Sequence, residues 1–500
     1  MISARSAVLI ATILGSSMVF IDGTAVNVVL PVLQTDLHAD AVQLQWVVVG
    51  YSLFLSALML AGGSLGDHYG RRKMFVIGTV VFAAASIACG FAPNAGALIV
   101  ARCIQGIGSA MLTPGSLALI GANFDEQSRG KAIGTWSSAT AVMAALGPGL
   151  GGFLAQHVSW RSIFFINVPL AIGVIIIALR AVPESRDRER VHHLDWLGAF
   201  ACTAGLGLIA YGLTFASTLW TIAGVILLGA FVVVEARSKS PLVPLDLFRS
   251  PTFSGVNALT LLLYGGLSGA MFFLPFEMIQ VDGYTPTAAG FAFLPFIAII
   301  FALSPIAGGL MPKIGARVML VVGPLVVAAG MVLLGLAGGH VDYWTAYLPA
   351  IVVLGLGMGF TVAPLTTTAI DAADVDQMGV ASGVNNAVSR VAGMLAIAGL
   401  GALVLAVFST GLQRDLKAVG VPTSVASAVM DQRASLAATT APAGSDAATK
   451  ALVHRAVDGA YLEAYRIVMF LCAGLAVAGA LVAVVTVAAR RVPSPVTPIA

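Results

Sequence analysis

The chain is poor in charge. Of its 500 residues, 26 are Lys or Arg and 23 are Asp or Glu, so 10% are charged, against roughly 25% in an average soluble domain. With 58% hydrophobic residues, this scarcity excludes an ordinary soluble fold and leaves a polytopic membrane protein. The formal net charge of +3 is too small to indicate nucleic acid. Cysteine is scarce as well. Cys89, Cys103, Cys202 and Cys472 all lie in apolar stretches, at no metal-ligand or redox spacing, and read as small packing residues. No GxxxxGK[ST] sequence occurs, which removes a Walker-type ATP site. His192 and His193 are adjacent in a basic linker, unlike the HExxH spacing that puts two ligands on one helix face, and read as solvated. Neither a metal nor an organic cofactor is expected.

What the chain has is apolar length. A span needs about 20 mostly apolar residues. Fourteen stretches qualify: 7–30, 44–66, 74–92, 96–120, 131–156, 163–182, 195–215, 218–236, 253–280, 286–311, 317–338, 343–370, 378–408 and 461–490. The first exceeds a signal-peptide core and has no clear small-residue cleavage site, so it is expected to stay as a helix. Lys and Arg set the orientation. With the amino terminus inside, Arg5, Arg71, Arg72, Lys73, Arg129, Lys131, Arg180, Lys313, Arg317, Arg490 and Arg491 fall on the cytoplasmic side, and the short outer loops hold only Arg161. Both termini are therefore expected in the cytoplasm, in a multi-pass plasma (inner) membrane protein. The Ala-, Ser- and Thr-rich segment 409–460 is expected to be a partly ordered extracytoplasmic excursion.

An internal repeat organises the chain. GGSLGDHYGRRKMF at 62–75 is echoed by GGLMPKIGARVML at 308–320, with Gly308 at the place of Gly63, Gly315 of Gly70 and Arg317 of Arg72. Pro312 stands where Asp67 stood. The echo follows spans two and ten, which implies an N-terminal six-helix half (1–182), an inserted pair with basic linkers (183–252) and a C-terminal six-helix half (253–500). Repeated halves around a central cavity are a transporter architecture.

The few charges then become informative. In the first block, Asp67 beside Arg71, Arg72 and Lys73, with Gly63 and Gly70 permitting a tight turn, forms a candidate latch; the plainer reading is a topogenic loop. Ionisable residues inside spans are costly and functional candidates by default. These are Asp22, Arg102, Glu277, Arg390 and Arg466, with Glu463 at a boundary. Asp22 and Arg102 pair if spans one and four adjoin, as part of a functional site or simply to fix helix register. Glu277 lies among Phe272, Phe273 and Phe276, and apolar surroundings favour the uncharged form of a carboxyl group. It is a proton-carrier or cation-recognition candidate, or else faces an outer vestibule. Arg390 is placed to hold a substrate carboxylate or neutralise a neighbour. Asn27, Gln105, Phe273, Phe276 and Arg390 are candidates for lining the cavity. Gly147, Pro148, Gly149, Gly151 and Gly152 crowd span five, where Pro removes a helical hydrogen bond and glycines admit a neighbouring backbone; a hinge or packing surface is expected.

These blocks together resemble the major facilitator superfamily, specifically its fourteen-span drug:proton antiporter branch. The likeness covers nearly the whole chain. Gly63, Leu65, Asp67, Gly70, Arg71 and Arg72 match the second-loop signature; Leu98, Arg102, Gln105, Gly106, Gly108 and Ala110 match the span-four pattern. Asp22, Thr24, Asn27 and Pro31 match the span-one pattern of the fourteen-span branch, and Gly147, Pro148, Gly151 and Gly152 the antiporter motif. Met143, where a glycine is usual, and Glu277, where an uncharged residue is usual, depart from the pattern. The resemblance implies an all-α major facilitator fold. It implies that Asp67 with Arg71 and Arg72 stabilises the outward-open state, that Arg102 assists proton transfer, that Asp22 takes part in coupling, and that span five supplies the rocking interface. It also implies a monomer in membrane lipid that exports drugs or other amphipathic or cationic small molecules in exchange for protons. The rivals are proton-coupled uptake on the same fold and, from other classes, a lipid-handling membrane enzyme or a channel.

Overall fold

The structure, a computed structural model, describes residues 4–186, 195–238, 241–339, 341–374 and 377–488. His192, His193, Arg490 and Arg491 lie outside the described residues. Fourteen helices are long and apolar enough to cross a membrane, and among the described residues there is no strand. Within lipid every backbone donor and acceptor must be satisfied inside the segment, which a helix does alone. The spans are α1 (Ala4–Leu37), α2 (Ala41–Tyr69), α3 (Arg71–Gly90), α4 (Ala95–Asn123), α5 (Gln127–His157), α6 (Ser162–Ala181) and α7 (Trp196–Thr214). They continue as α8 (Thr218–Arg237), α9 (Pro251–Val281), α10 (Pro286–Ile314), α11 (Ala316–Ala337), α12 (Tyr343–Asp371), α13 (Met378–Ala418) and α14 (Ala447–Thr486). Several starts carry an acid or amide cap. Asp40 caps α2 in a reciprocal capping box with Gln43, and Asn94, Asp125, Asp195 and Asp446 cap α4, α5, α7 and α14.

The packing scheme occurs twice, eight spans apart. In the first half α1 packs on α5 and α6, α4 on α2 and α3, and α3 on α6; in the second, α9 packs on α13 and α14, α12 on α10 and α11, and α11 on α14. The echoed turns match in backbone as well as sequence. Gly70 between α2 and α3 has φ 114°, and Gly315 between α10 and α11 has φ 92°, values that favour glycine. The inserted pair α7 and α8 packs together, and α7 lies against both α2 and α13.

The segment after span thirteen, expected to be partly ordered, is mostly helical. α13 runs on to Ala418 and α14 begins at Ala447, leaving only a short helix Thr423–Asp431 and a 3₁₀ turn Arg433–Ala438 between them. Hydropathy falls where polar residues enter, but helix propensity does not, because Ala, Leu, Gln and Arg all favour helix in water. The excursion is thus largely a helical protrusion.

Candidate functional site

The two halves meet along two seams, α5 with α10 and α2 with α13. At the end of the bundle carrying Gln34, the α5–α10 seam is shut. A Cβ on Gly152 would lie 2.1 Å from the Pro286 carbonyl oxygen, and one on Gly290 2.2 Å from that of Pro148. Only glycine allows these backbones so close. The Thr287 N–H donates to Gln156 Oε1 at 3.2 Å, and Gln280 Nε2 donates to Gln34 Oε1 at 2.9 Å. Gly147 and Gly151 face Thr24 and Ala25 of α1. The glycine and proline stretch therefore packs on two helices at once, one in each half. Toward the Gly70 end the rest of α10 makes far less contact with α5, and a shallow surface depression lies along Lys131, Thr135, Ser138 and Val142 of α5. The α2–α13 seam stays in contact from Gln45 against Gly401 to Leu60 against Gly383.

Between the seams lies a cavity of about 540 Å³ lined by residues of both halves. Asn27 and Arg390 line it, as do Thr24, Tyr264, Ser268, Phe293 and Asn386. Gln105, Phe273 and Phe276 do not. The two phenylalanines are buried in the packing of the second half, Phe273 against Phe272 with ring centroids 4.9 Å apart. Gln105 belongs to a polar network behind the cavity wall.

That network holds Asp22 and Arg102, each 1% exposed. Arg102 Nη1 donates to Asp22 Oδ2 at 2.5 Å and to Gln105 Oε1 at 2.6 Å, and its Nε donates to the Val47 carbonyl at 3.2 Å. Gln105 Nε2 donates to Asp22 Oδ1 at 3.0 Å and to Ser86 Oγ at 2.9 Å. The guanidinium lies 4.1 Å from the ring centroid of Tyr51, a cation–π contact. A buried ion pair survives only when its remaining donors and acceptors are also met, and here both acid oxygens are. Gly23 and Thr24, beside Asp22 on α1, line the cavity. The acid thus stands one helix face behind the substrate-sized space.

Glu277 is elsewhere. It is 0% exposed, in the π-helical last turn of α9, and does not line the cavity. Neither carboxylate oxygen has a side-chain hydrogen-bond partner, though the Gly339 backbone and the Arg466 charge lie close by, and the nearby buried Tyr465 hydroxyl has no partner either. The first turn of α12 is also π-helical, and its Tyr347 donates to Asp282 at 2.5 Å. Such turns are rare and gather at functional sites.

The latch block is tied to itself, to the end of α6 and to the linker that follows. Arg71 Nε donates to Asp67 Oδ1 at 2.8 Å. Arg72 donates from Nη1 to the Val182 carbonyl at 3.1 Å, while the Arg72 and Lys73 N–H groups donate to the carboxylate of Glu184 at 3.0 and 3.1 Å. Glu184 therefore caps α3 from the linker after α6, a role invisible to local sequence signals. Tyr51, Ser86 and the cavity's Asn386 and Ser268 are likewise absent from the sequence-derived candidates. Two of them carry a signal: Ser86 and Asn386 are polar residues in long apolar runs.

Residues 12–397 match the Major Facilitator Superfamily. The multidrug resistance protein Stp of Mycobacterium tuberculosis is 34% identical over 421 residues, 82% of this chain and 78% of that protein. The puromycin resistance protein pur8 of Streptomyces alboniger is 34% identical over 402 residues, 78% of this chain and 80% of that protein. Among solved structures, a bacterial homologue of the human lysosomal transporter Spinster, inward-facing and occupied, superposes with a TM-score of 0.66 at 17% identity, covering 97% of each chain. That likeness concerns the fold. Sequence match, fourteen spans and the twice-used packing scheme agree: the chain belongs to the major facilitator superfamily and is a multi-pass membrane transporter, not an enzyme.

Proposed function

We propose that this transporter is a proton-coupled antiporter that exports drugs and other amphipathic small molecules by alternating access. The observation that carries the reading is a fully buried acid, Asp22, paired with Arg102 directly behind a cavity shared by both halves. Names of relatives at 32–34% identity, among them a tetracenomycin C resistance and export protein of Streptomyces glaucescens, support the substrate class and direction. The Gly70 end, with its three basic residues, is assigned to the cytoplasm together with both termini. On that assignment the cavity faces inward while the α5–α10 seam closes it to the outside. Substrate enters from the cytoplasm or inner leaflet, and the halves rock about the glycine contacts. A proton arriving from outside neutralises Asp22 and frees Arg102. The protein works as a monomer in lipid, with no cofactor but the proton.

The driving force is adequate. One pH unit supplies about 1.36 kcal/mol per proton, and 100 mV about 2.3 kcal/mol per charge moved. The test is substrate flux in proteoliposomes under an imposed pH gradient. Flux that rises with the gradient and collapses with a protonophore is expected; flux indifferent to the gradient rejects the coupling.

A further inference from the structure

The central cavity has an uncompensated charge. Its wall holds one ionisable cation, Arg390 of α13, and no Asp or Glu. Arg390 is half-buried, and among the described residues no carboxylate or hydrogen-bond acceptor lies within bonding distance of it. The other arginine near the centre, Arg102, is already neutralised by Asp22. Both guanidinium groups lie near Tyr51, that of Arg102 stacked on its ring and that of Arg390 close enough for electrostatic interaction. The centre of the molecule therefore carries net positive charge, and all of it points into the cavity. A guanidinium cannot shed its proton to relieve this. In a low-dielectric cleft a single charge of one sign raises the local concentration of its counter-ion.

The rest of the wall defines the body of the ligand. Phe20, Phe293, Phe296 and Tyr264 supply aromatic faces, and Met271 and Met394 supply adaptable apolar surface. Asn27 Oδ1, buried and without a partner, offers one acceptor to a donor on the ligand. We propose that the cavity selects amphipathic organic anions, aromatic molecules carrying one carboxylate, and that Arg390 binds that carboxylate through its paired N–H donors. The inference rests on the export reading and fixes its substrate charge, which the sequence alone leaves open between amphipathic and cationic compounds. The signs agree with export: an anion leaving and a proton entering both move positive charge inward, so an inside-negative potential drives both.

The test is binding, measured on full-length protein in nanodiscs of zwitterionic lipid with empty nanodiscs subtracted. The probes are pyrene-1-butanoate and pyrene-1-butylammonium, alike in shape and opposite in charge. Wild-type protein is expected to bind the carboxylate at least about tenfold more tightly, and Arg390→Gln to lose about tenfold to a hundredfold in carboxylate affinity, the range of a charge-assisted hydrogen bond. The ammonium probe is expected to bind Arg390→Gln as well as or better than wild type, and Arg390→Lys to recover part of the carboxylate affinity. Equal or tighter binding of the ammonium by wild-type protein overturns the proposal, whatever the variants do. Unchanged carboxylate affinity in a folded Arg390→Gln protein also overturns it. Preferential carboxylate binding without gradient-driven flux leaves this inference standing and removes the export reading instead.

Discussion

Asp22 and Glu277 are equally hidden, at 1% and 0% exposure, yet their surroundings differ completely. Asp22 has a guanidinium on one oxygen and an amide on the other. Glu277 has no side-chain partner on either, only the Gly339 backbone beside it. An isolated carboxylate inside a protein is prohibitively unfavourable, so such a group neutralises itself instead. In this conformation Asp22 stands with a counter-ion against it, and among the described residues Glu277 forms no ion pair. Burial alone therefore assigns neither role; the partners do. The first half holds an acid tied to an arginine, and the second holds an acid that no ion pair ties down.

The largest effects should come from breaking the paired acid. Asp22→Asn leaves the Arg102 charge buried without its counter-ion, and removal of one member of such a pair costs about 3–5 kcal/mol. Gradient-driven flux is expected to fall below detection while enough folded protein survives to assay, because the asparagine still accepts hydrogen bonds. The double variant Asp22→Asn with Arg102→Gln should regain most of the stability in thermal unfolding, yet no flux. Recovery of flux in the double variant would reduce the pair to a register-fixing contact. Of intermediate size is Gly152→Leu, where a side chain must enter space held by the Pro286 carbonyl. Overpacking of this kind costs about 1–3 kcal/mol, felt only when the α5–α10 seam is shut. Spin-label distances between the outer ends of α5 and α10 should lengthen, with a loss of turnover; an unchanged distribution would show that the seam does not govern the transition.

Smaller still is Glu277→Gln. The exchange keeps shape and alters a carboxyl group that makes no hydrogen bond to another side chain. Stability should stay within about 1 kcal/mol of wild type, against the large loss for Asp22→Asn, while the pH dependence of flux changes if the acid ionises during the cycle. A loss on the scale of breaking a buried pair would mean that Glu277 is charged here after all. The comparison of the two acids would then fail.

How much of this was legible follows from what is local. Charges in a lipid-length helix are so few that Asp22 and Arg102 are natural partners, and the structure brings them together. The turn glycines Gly70 and Gly315 are visible as a repeat because backbone geometry demands them. Fourteen spans follow from apolar length. Helix faces do not follow from a single sequence, however. Phe273 and Phe276 looked suited to a cavity and turned out to be packing residues, since an aromatic on a span is equally at home against a neighbour. Gln105 sits one layer too deep for the cavity and serves Asp22 and Arg102 instead. Glu184 reaches the start of α3 from 111 and 112 residues away in sequence, and no spacing rule finds such a cap.

An exposed acid supplies the smallest prediction and the control for the others. Asp125 caps α5, accepting from the Ser128 hydroxyl at 2.5 Å and the Ser128 N–H at 3.0 Å, and pairs with Arg5 at 2.8 Å. The Ser128 hydrogen bonds first, and the Arg5 charge after them, hold its carboxyl below the ordinary carboxylate range. A depressed carboxyl contributes stability that is present above its unfolded pKa and is lost as pH falls through the folded one. Asp125 is therefore ionised at every pH where transport would be assayed. Asp125→Asn keeps most of the capping geometry, because asparagine caps nearly as well. It should lower the unfolding temperature slightly at neutral pH, with the difference from wild type vanishing in acid. The pH profile of flux should not move at all. A profile that did shift with Asp125→Asn would mean that an acid at the bundle's surface takes part in the proton response, and the contrast between the paired and the unpartnered buried acid would no longer suffice to explain it.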